Sequence, residues 1–287
     1  PPTGGAGRGA APRTPRELLR AGRDLAGQLG GLAPTATRVA TEAFREHRLR
    51  LPLQAPRTML NVPVGGARRF AAESWEQARI AHVAAAAGVS TNDVVLAMCS
   101  GALRAYLSEH RALPDRPLVA MVPVSLRDRT ERAETTGNRI GAILCDLGTH
   151  LPDPGARLAT VSASMSDGKR LFGDLSPLQA LALSAFNVAP VAATPLPGWV
   201  DHTRPPFNLV ISNVPGPRGR QYFNGARLDG IYPASVLLDG QALNITLTSS
   251  ESTLDFGITG CRRSVPHLQR LLGHLEDALV DLECAVV

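Results

Sequence analysis

Residues 243 to 259 carry the clearest period in the chain: Leu243, Ile245 and Leu247 alternate with Asn244, Thr246 and Thr248, and Leu254, Phe256 and Ile258 alternate with Asp255, Gly257 and Thr259. Successive side chains of a strand point to opposite faces, so each run has one apolar and one polar face. Ser249 to Ser252 makes the turn of a hairpin. Its polar face is either solvated or lines a cleft against a partner domain. Leu268, Leu271, Leu272, Leu275, Leu279 and Leu282 then recur at helical spacing and predict an amphipathic helix over about 265–283.

Upstream, strands and helices alternate. Residues 68–73 read as a strand, 76–87 as an Ala-rich helix closed by Gly88, and 91–110 as a long helix. Ser90 followed three residues later by Asp93 predicts a capping box, in which each side chain accepts the other residue's backbone N–H. Leu118–Val124 and Ile140–Leu147 read as buried strands, 154–172 and 176–192 as helices, and Phe207–Ser212 as a strand. Aromatic residues make up only 4% of the chain, so its core must be built from Val, Leu, Ile and Ala. The fold class expected is α/β, a mixed sheet with flanking helices.

The net charge of +5 belongs to one end: residues 1–57 hold ten Arg against four acids, and the remainder holds 20 basic against 21 acidic side chains. Lys169 is the only lysine. No helix-turn-helix spacing, zinc-ligand spacing or RNA-binding aromatic strand accompanies the basic end, so no nucleic-acid partner is expected. Residues 1–15 read as a disordered Pro/Gly-rich linker, 16–57 as a basic helical arm and interdomain connection, and 58–287 as a C-terminal domain. Cys99, Cys145, Cys261 and Cys284 lie far apart, which predicts reduced, buried thiols and no metal site. No signal peptide is legible after Pro1, which predicts a cytoplasmic chain, possible truncation included. Residues 175–200 carry no charge, but Pro190, Pro195 and Pro197 argue against a span and for a buried or interfacial helix.

No phosphate loop, nucleophile elbow, dinucleotide fingerprint or His-Glu-x-x-His motif is present, and no histidine sits in an arrangement that marks it as a base. Five dense blocks remain: Thr91-Asn92-Asp93-Val94-Val95, Val122-Pro123-Val124-Ser125-Leu126-Arg127, Gly137-Asn138-Arg139, Ser212-Asn213-Val214-Pro215-Gly216-Pro217, and Asp239-Gly240-Gln241-Ala242-Leu243-Asn244-Ile245-Thr246. Taken in this order, from about Thr58 to Glu283, the chain resembles the C-terminal region of the bacterial wax ester synthase/diacylglycerol acyltransferase family.

That resemblance implies the second half of a two-domain, CoA-dependent acyltransferase-like architecture with a channel between the halves. It implies transfer of a long-chain acyl group from acyl-CoA to diacylglycerol or a fatty alcohol, with acyl-CoA as substrate and no bound cofactor. The family's His-His-x-x-x-Asp-Gly motif, whose histidine deprotonates the acceptor alcohol, is not found; it is expected in an N-terminal domain upstream of Pro1, so the isolated chain is expected to be inactive. His150, with Asp153 one residue too early, and the segment Ala234–Gly240, which has the spacing without histidines, are the nearest misses.

Asn92 and Asp93 match the family's Asn-Asp pair, either as a helix N-terminus or as positioning groups for the catalytic histidine. Asn138 and Arg139 are channel candidates, with a turn before a strand as the alternative. Ser212 and Asn213 end a strand and are further channel candidates. Asn244 and Thr246 are the expected donors to a thioester or developing oxyanion. The missing N-terminal domain and a lipid surface at the inner membrane or lipid inclusions complete the expected partners, and an exposed former interface predicts self-association. A noncatalytic lipid-binding module of the same fold, or an acyltransferase with another acceptor, are the alternatives.

Overall fold

The hairpin forms as β7 (Leu243–Ser249) and β8 (Thr253–Cys261), with Ile245 opposite Ile258 and Leu247 opposite Phe256. A computed structural model describes residues 50–125, 140–217 and 219–286 of the chain. In it the hairpin is the centre of a six-stranded mixed sheet, completed by β1 (Arg68–Glu76), β2 (Val119–Ser125), β3 (Ile140–Asp146) and β4 (Leu209–Pro215) in the order β1-β8-β7-β4-β2-β3. β7, β4 and β2 run parallel, and β8 and β3 run against them. β5 (Tyr222–Phe223) and β6 (Ala226–Arg227) form a separate small hairpin.

One face of the sheet carries the apolar rows and is covered by helices. These are α1 (Gln77–Ala87), α2 (Thr91–Glu109), α3 (Pro154–Asp174) and α6 (Arg270–Val286). Val94, Val95, Met98, Leu103 and Tyr106 of α2 are fully buried, and so are Leu271, Leu275 and Leu279 of α6. Gly101 permits the close crossing of these two helices, since a Cβ there would stand 2.7 Å from that of Ala278. The expected capping box is present: Ser90 Oγ accepts Asp93 N–H at 3.3 Å and Asp93 Oδ2 accepts Ser90 N–H at 3.1 Å. A second box, Ser176 with Gln179, starts α4 (Pro177–Val188), which passes into a short 3₁₀ turn at Ala189–Ala193 and is followed by the single-turn α5 (Trp199–His202). α4 covers the sheet edge, where Ser184 Oγ accepts the N–H of Ala142 in β3 at 3.3 Å and Asn187 Nδ2 donates to its carbonyl at 2.8 Å.

Three expectations are corrected. The polar face of the hairpin is not solvated: Asn244, Thr246, Thr248, Asp255 and Thr259 are buried. The segment after β6 crosses it, with Ile231 N–H donating to Asp255 Oδ2 at 2.8 Å and Ser235 N–H to Thr259 Oγ1 at 3.3 Å. Gly257 makes room, because a Cβ there would meet the carbonyl oxygen of Pro233 at 1.9 Å. The last helix begins at Arg270 instead of 265, because Pro266 is followed by His267 at φ 51°, a left-handed conformation outside the helix. Cys99, Cys145 and Cys261 are buried thiols as expected, whereas Cys284 is exposed.

The described part of the basic arm, residues 50–57, contains no helix and lies against the domain: Arg50 pairs with Asp146, and Ala55 is fully buried. The chain that follows is anchored by a buried amide network. Asn61 Nδ2 donates to the carbonyls of Asn208 at 3.1 Å and Gly240 at 3.0 Å, and Asn208 Nδ2 donates to Asn61 Oδ1 and to the Pro56 carbonyl, both at 2.7 Å. Asn208 Oδ1 accepts the N–H of Val119 at 2.8 Å. No single helix among the described residues is long and apolar enough to cross a membrane.

Candidate functional site

Four strands point the same way, and their carboxyl ends meet at one opening. Gln77, directly after β1, Val122–Ser125 of β2, Asn213 and Pro215 of β4, and Ser249 of β7 line a cavity of about 810 Å³. The first turn of α2 contributes Thr91 and Asn92, and the end of α3 contributes Lys169, Phe172 and Gly173. Clefts at the carboxyl ends of parallel strands are where open α/β sheets commonly take ligands, and this volume suits a small molecule or one section of a larger one.

Local sequence dictates these positions. Asn213 shares a row with Ile211, and this row faces the helices together with Ile245 and Leu247. Pro215 ends the pairing and Gly216 is forced by close approach: a Cβ there would lie 2.0 Å from the Ser249 carbonyl oxygen, while its N–H donates to Ser249 Oγ at 3.3 Å. Gln77 Nε2 donates to the carbonyls of Ser250 at 2.8 Å and Thr253 at 3.1 Å, tying the hairpin turn to the start of α1. Asn92 is presented at the positive end of a 19-residue helix whose first turn is held by the Ser90–Asp93 box.

Asn92 and Asn213 therefore come together in one cavity. Asp93 sits behind the first turn, 4% exposed, with Oδ1 lacking a hydrogen-bond partner among the described residues and Ser162 Oγ 3.5 Å from Oδ2. Ser212, Asn244 and Thr246 share the opposite row and face away from this cavity. Thr246 Oγ1 donates to Asn244 Oδ1 at 2.7 Å and lies 2.8 Å from Ser235 Oγ. Asn244 lines a second cavity of about 200 Å³ among Met121, Phe207, Val210 and Leu237. Asn138 and Arg139 lie outside the described residues.

Thr91, from the same sequence block as Asn92, also lines the main cavity, and so do Gln77, Lys169 and Ser249, which were not singled out by their surroundings in sequence; the one available signal was that Lys169 has no second lysine beside it in the whole chain. Lys169 is the one charged group among the described lining residues, and none of these is a histidine or carboxylate. Burial pushes the Cys99 thiol up to about 12 and raises that of Cys145 as well, so neither offers a thiolate at neutral pH. The arrangement can bind and orient a substrate through amide, hydroxyl and ammonium groups. A general base of the histidine or carboxylate type is absent from the described lining.

Residues 136–283 match the family model described as the WS/DGAT C-terminal domain, and residues 2–95 that of the wax ester synthase/diacylglycerol acyltransferase catalytic domain. The second match crosses residue 58 and includes Asn92 and Asp93. A Mycobacterium tuberculosis protein named as a diacylglycerol O-acyltransferase, tgs2, is 57% identical over 269 residues, covering 94% of this chain and 59% of that relative. Another from the same species, Rv3740c, is 58% identical over 262 residues, covering 91% of this chain and 58% of its own length. The wax ester synthase/diacylglycerol acyltransferase from Marinobacter aquaeolei VT8 has a similar structure, with a TM-score of 0.71 and 40% identity over 89% of this chain and 56% of that one. A condensation domain from the enacyloxin polyketide synthase, 13% identical at a TM-score of 0.53, shares the fold. The chain thus spans less than two thirds of these relatives, and the match over 136–283 covers more than half of its own length. It belongs to the wax ester synthase/diacylglycerol acyltransferase family.

Proposed function

We propose that this chain forms part of an O-acyltransferase that moves a long-chain acyl group from acyl-CoA to diacylglycerol, giving triacylglycerol, or to a fatty alcohol, giving a wax ester. The observation that carries the reading is the cavity that joins Asn92 and Asn213 at the carboxyl ends of the parallel strands. A histidine of the His-His-x-x-x-Asp-Gly type, carried by a domain upstream of Pro1, takes the proton of the acceptor hydroxyl. The alkoxide oxygen attacks the thioester carbonyl, the tetrahedral intermediate collapses, and the departing CoA thiolate recovers that proton.

The chain described here supplies position and polarity to those steps. Amide N–H groups of Asn92 and Asn213 are suited to hold the thioester oxygen as charge develops on it, while Asp93 fixes the turn that carries Asn92. The thioester is already activated, so no further cofactor enters the scheme. Exposed Leu178 and Leu181 on α4, within the uncharged stretch 175–200, support work at a lipid surface, the cytoplasmic leaflet or a lipid inclusion.

The test is transfer from labelled palmitoyl-CoA to diacylglycerol and to hexadecanol, by this chain alone and with the upstream region restored. Product in the restored protein alone is the expected result. Product from the isolated chain would place a base within it, and none from either form would favour a lipid-binding module.

A further inference from the structure

We propose that Lys169 receives a phosphate of the acyl donor, which makes the main cavity the donor side of the channel. The inference rests on the acyl-transfer reading and goes on to assign one of the two substrates to this face of the sheet. Of the molecules that reading involves, diacylglycerol and fatty alcohols are neutral and acyl-CoA is anionic. An ammonium group attracts the anionic donor and neither of the neutral acceptors.

Lys169 is the single charged side chain among the described residues that line the cavity, whose other polar lining groups are Gln77, Thr91, Asn92, Ser125, Asn213 and Ser249. No carboxylate pairs with Lys169 among the described residues, whereas Arg170 beside it is paired with Asp167. Lys169 is exposed, so its ε-ammonium stands open to solvent at the cavity wall. The choice of cation matters too: the chain uses Arg at 29 of its 30 Lys and Arg positions and places its one lysine here. A flexible ammonium can follow a phosphate as a point charge without the fixed fork geometry of a guanidinium.

The rest of the lining fits the same ligand. Val122, Val124, Phe172, Leu175 and Leu254 offer an apolar wall to the chain portion that separates phosphate from thioester. The second cavity, on the opposite face of the sheet, differs in kind: it is lined by apolar side chains with Gln241 and Asn244 and holds no charged group among the described residues. It has nothing with which to pair a phosphate.

The experiment compares palmitoyl-CoA with palmitoyl-pantetheine, which keeps the thioester and lacks every phosphate, using the protein with its upstream region. Lys169→Ala is expected to raise KM for palmitoyl-CoA about five- to tenfold, the range of one charge-assisted contact at a solvent-reachable site, with kcat kept. KM for palmitoyl-pantetheine should stay as it was, and Lys169→Arg should recover most of the loss. An equal effect on both donors, or a change confined to KM for diacylglycerol, overturns the assignment. A phosphate could also come from a lipid headgroup, so binding to phosphatidylglycerol vesicles is measured in parallel; a loss there with palmitoyl-CoA binding intact would equally overturn it. Equilibrium binding of palmitoyl-CoA separates the two levels. Binding that weakens in Lys169→Ala without any acyl transfer by the wild type would sink the acyl-transfer reading and leave the phosphate contact standing, and transfer whose donor affinity ignores the substitution would do the reverse.

Discussion

Ser90 and Asp93 hold each other: each side chain accepts the other's backbone N–H, at 3.3 and 3.1 Å, so the turn that presents Asn92 to the cavity is closed from both sides. An Asp93→Ala substitution removes one half of this pair and should destabilise the protein by about 1–2 kcal/mol. Asp93→Asn keeps an oxygen to accept the Ser90 N–H and should cost less than half of that. Chemical denaturation of both variants tests the structural role. Transfer activity of Asp93→Asn that falls much further than its stability would assign the carboxylate's charge a positioning role as well.

Asn61 and Asn208 form a pair in which either amide, left alone, would strand several buried acceptors. Each single alanine substitution should cost about 2–4 kcal/mol, and the double variant clearly less than the sum. Additive losses in a double-mutant cycle would mean that the two amides stabilise the crossing of residues 56–64 independently.

Gly257→Ala tests the cover over the polar face of the hairpin. The new methyl group would collide with the Pro233 carbonyl, which is backbone and cannot swing aside, so a loss of about 3 kcal/mol is expected. Hydrogen exchange should rise first at Ile231 and Ser235, whose N–H groups are bonded to that face. Unchanged protection there, with a similar overall loss, would locate the strain elsewhere.

Arg79 bridges α1 to α6 through Glu276 and Glu283, with Nε and Oε1 of Glu283 2.8 Å apart. The hydrogen bond from Arg79 holds the Glu283 carboxyl below its usual value of 4.5. A depressed carboxylate contributes stability above its unfolded pKa and loses it as pH falls through the folded one. Glu283→Gln should therefore cost about 0.5–1 kcal/mol at pH 7, a value kept small by the partial exposure of both groups. That difference should shrink below pH ~4.5. A difference in urea midpoint that persists at pH 2 would point to packing instead of charge.

Local rules made much of this fold legible. The 2-residue alternation of Leu243–Thr248 and Leu254–Thr259, and the capping box ahead of Val94, are written within a few residues of where they act. The three-helix-turn spacing of the C-terminal leucines gave the right inward face but the wrong start, since the left-handed turn at His267 carries no strong signal of its own in a non-glycine residue. What stayed hidden was long-range. Whether Asn213 or Ser212 would face the cavity depends on the parity of β4 against β7, and the burial of Asn244 and Thr246 depends on a loop that crosses them from outside the hairpin. The resemblance of the Asn-Asp and Ser-Asn-Val-Pro-Gly-Pro blocks to the family marked both strand and helix ends, and the shared opening between them emerged only from the order of the strands.

A chain with a single ε-amine is also a chain with a single address for amine-selective chemistry. Once the α-amino group has been capped covalently, an amine-selective acylating fluorophore has Lys169 alone to modify in this chain, at the wall of the cavity itself. Acylation also removes the charge of the ε-ammonium and with it the contact assigned to the donor phosphate, so the rate of labelling, slowed when palmitoyl-CoA is bound, is what reports occupancy, without any new residue in the protein.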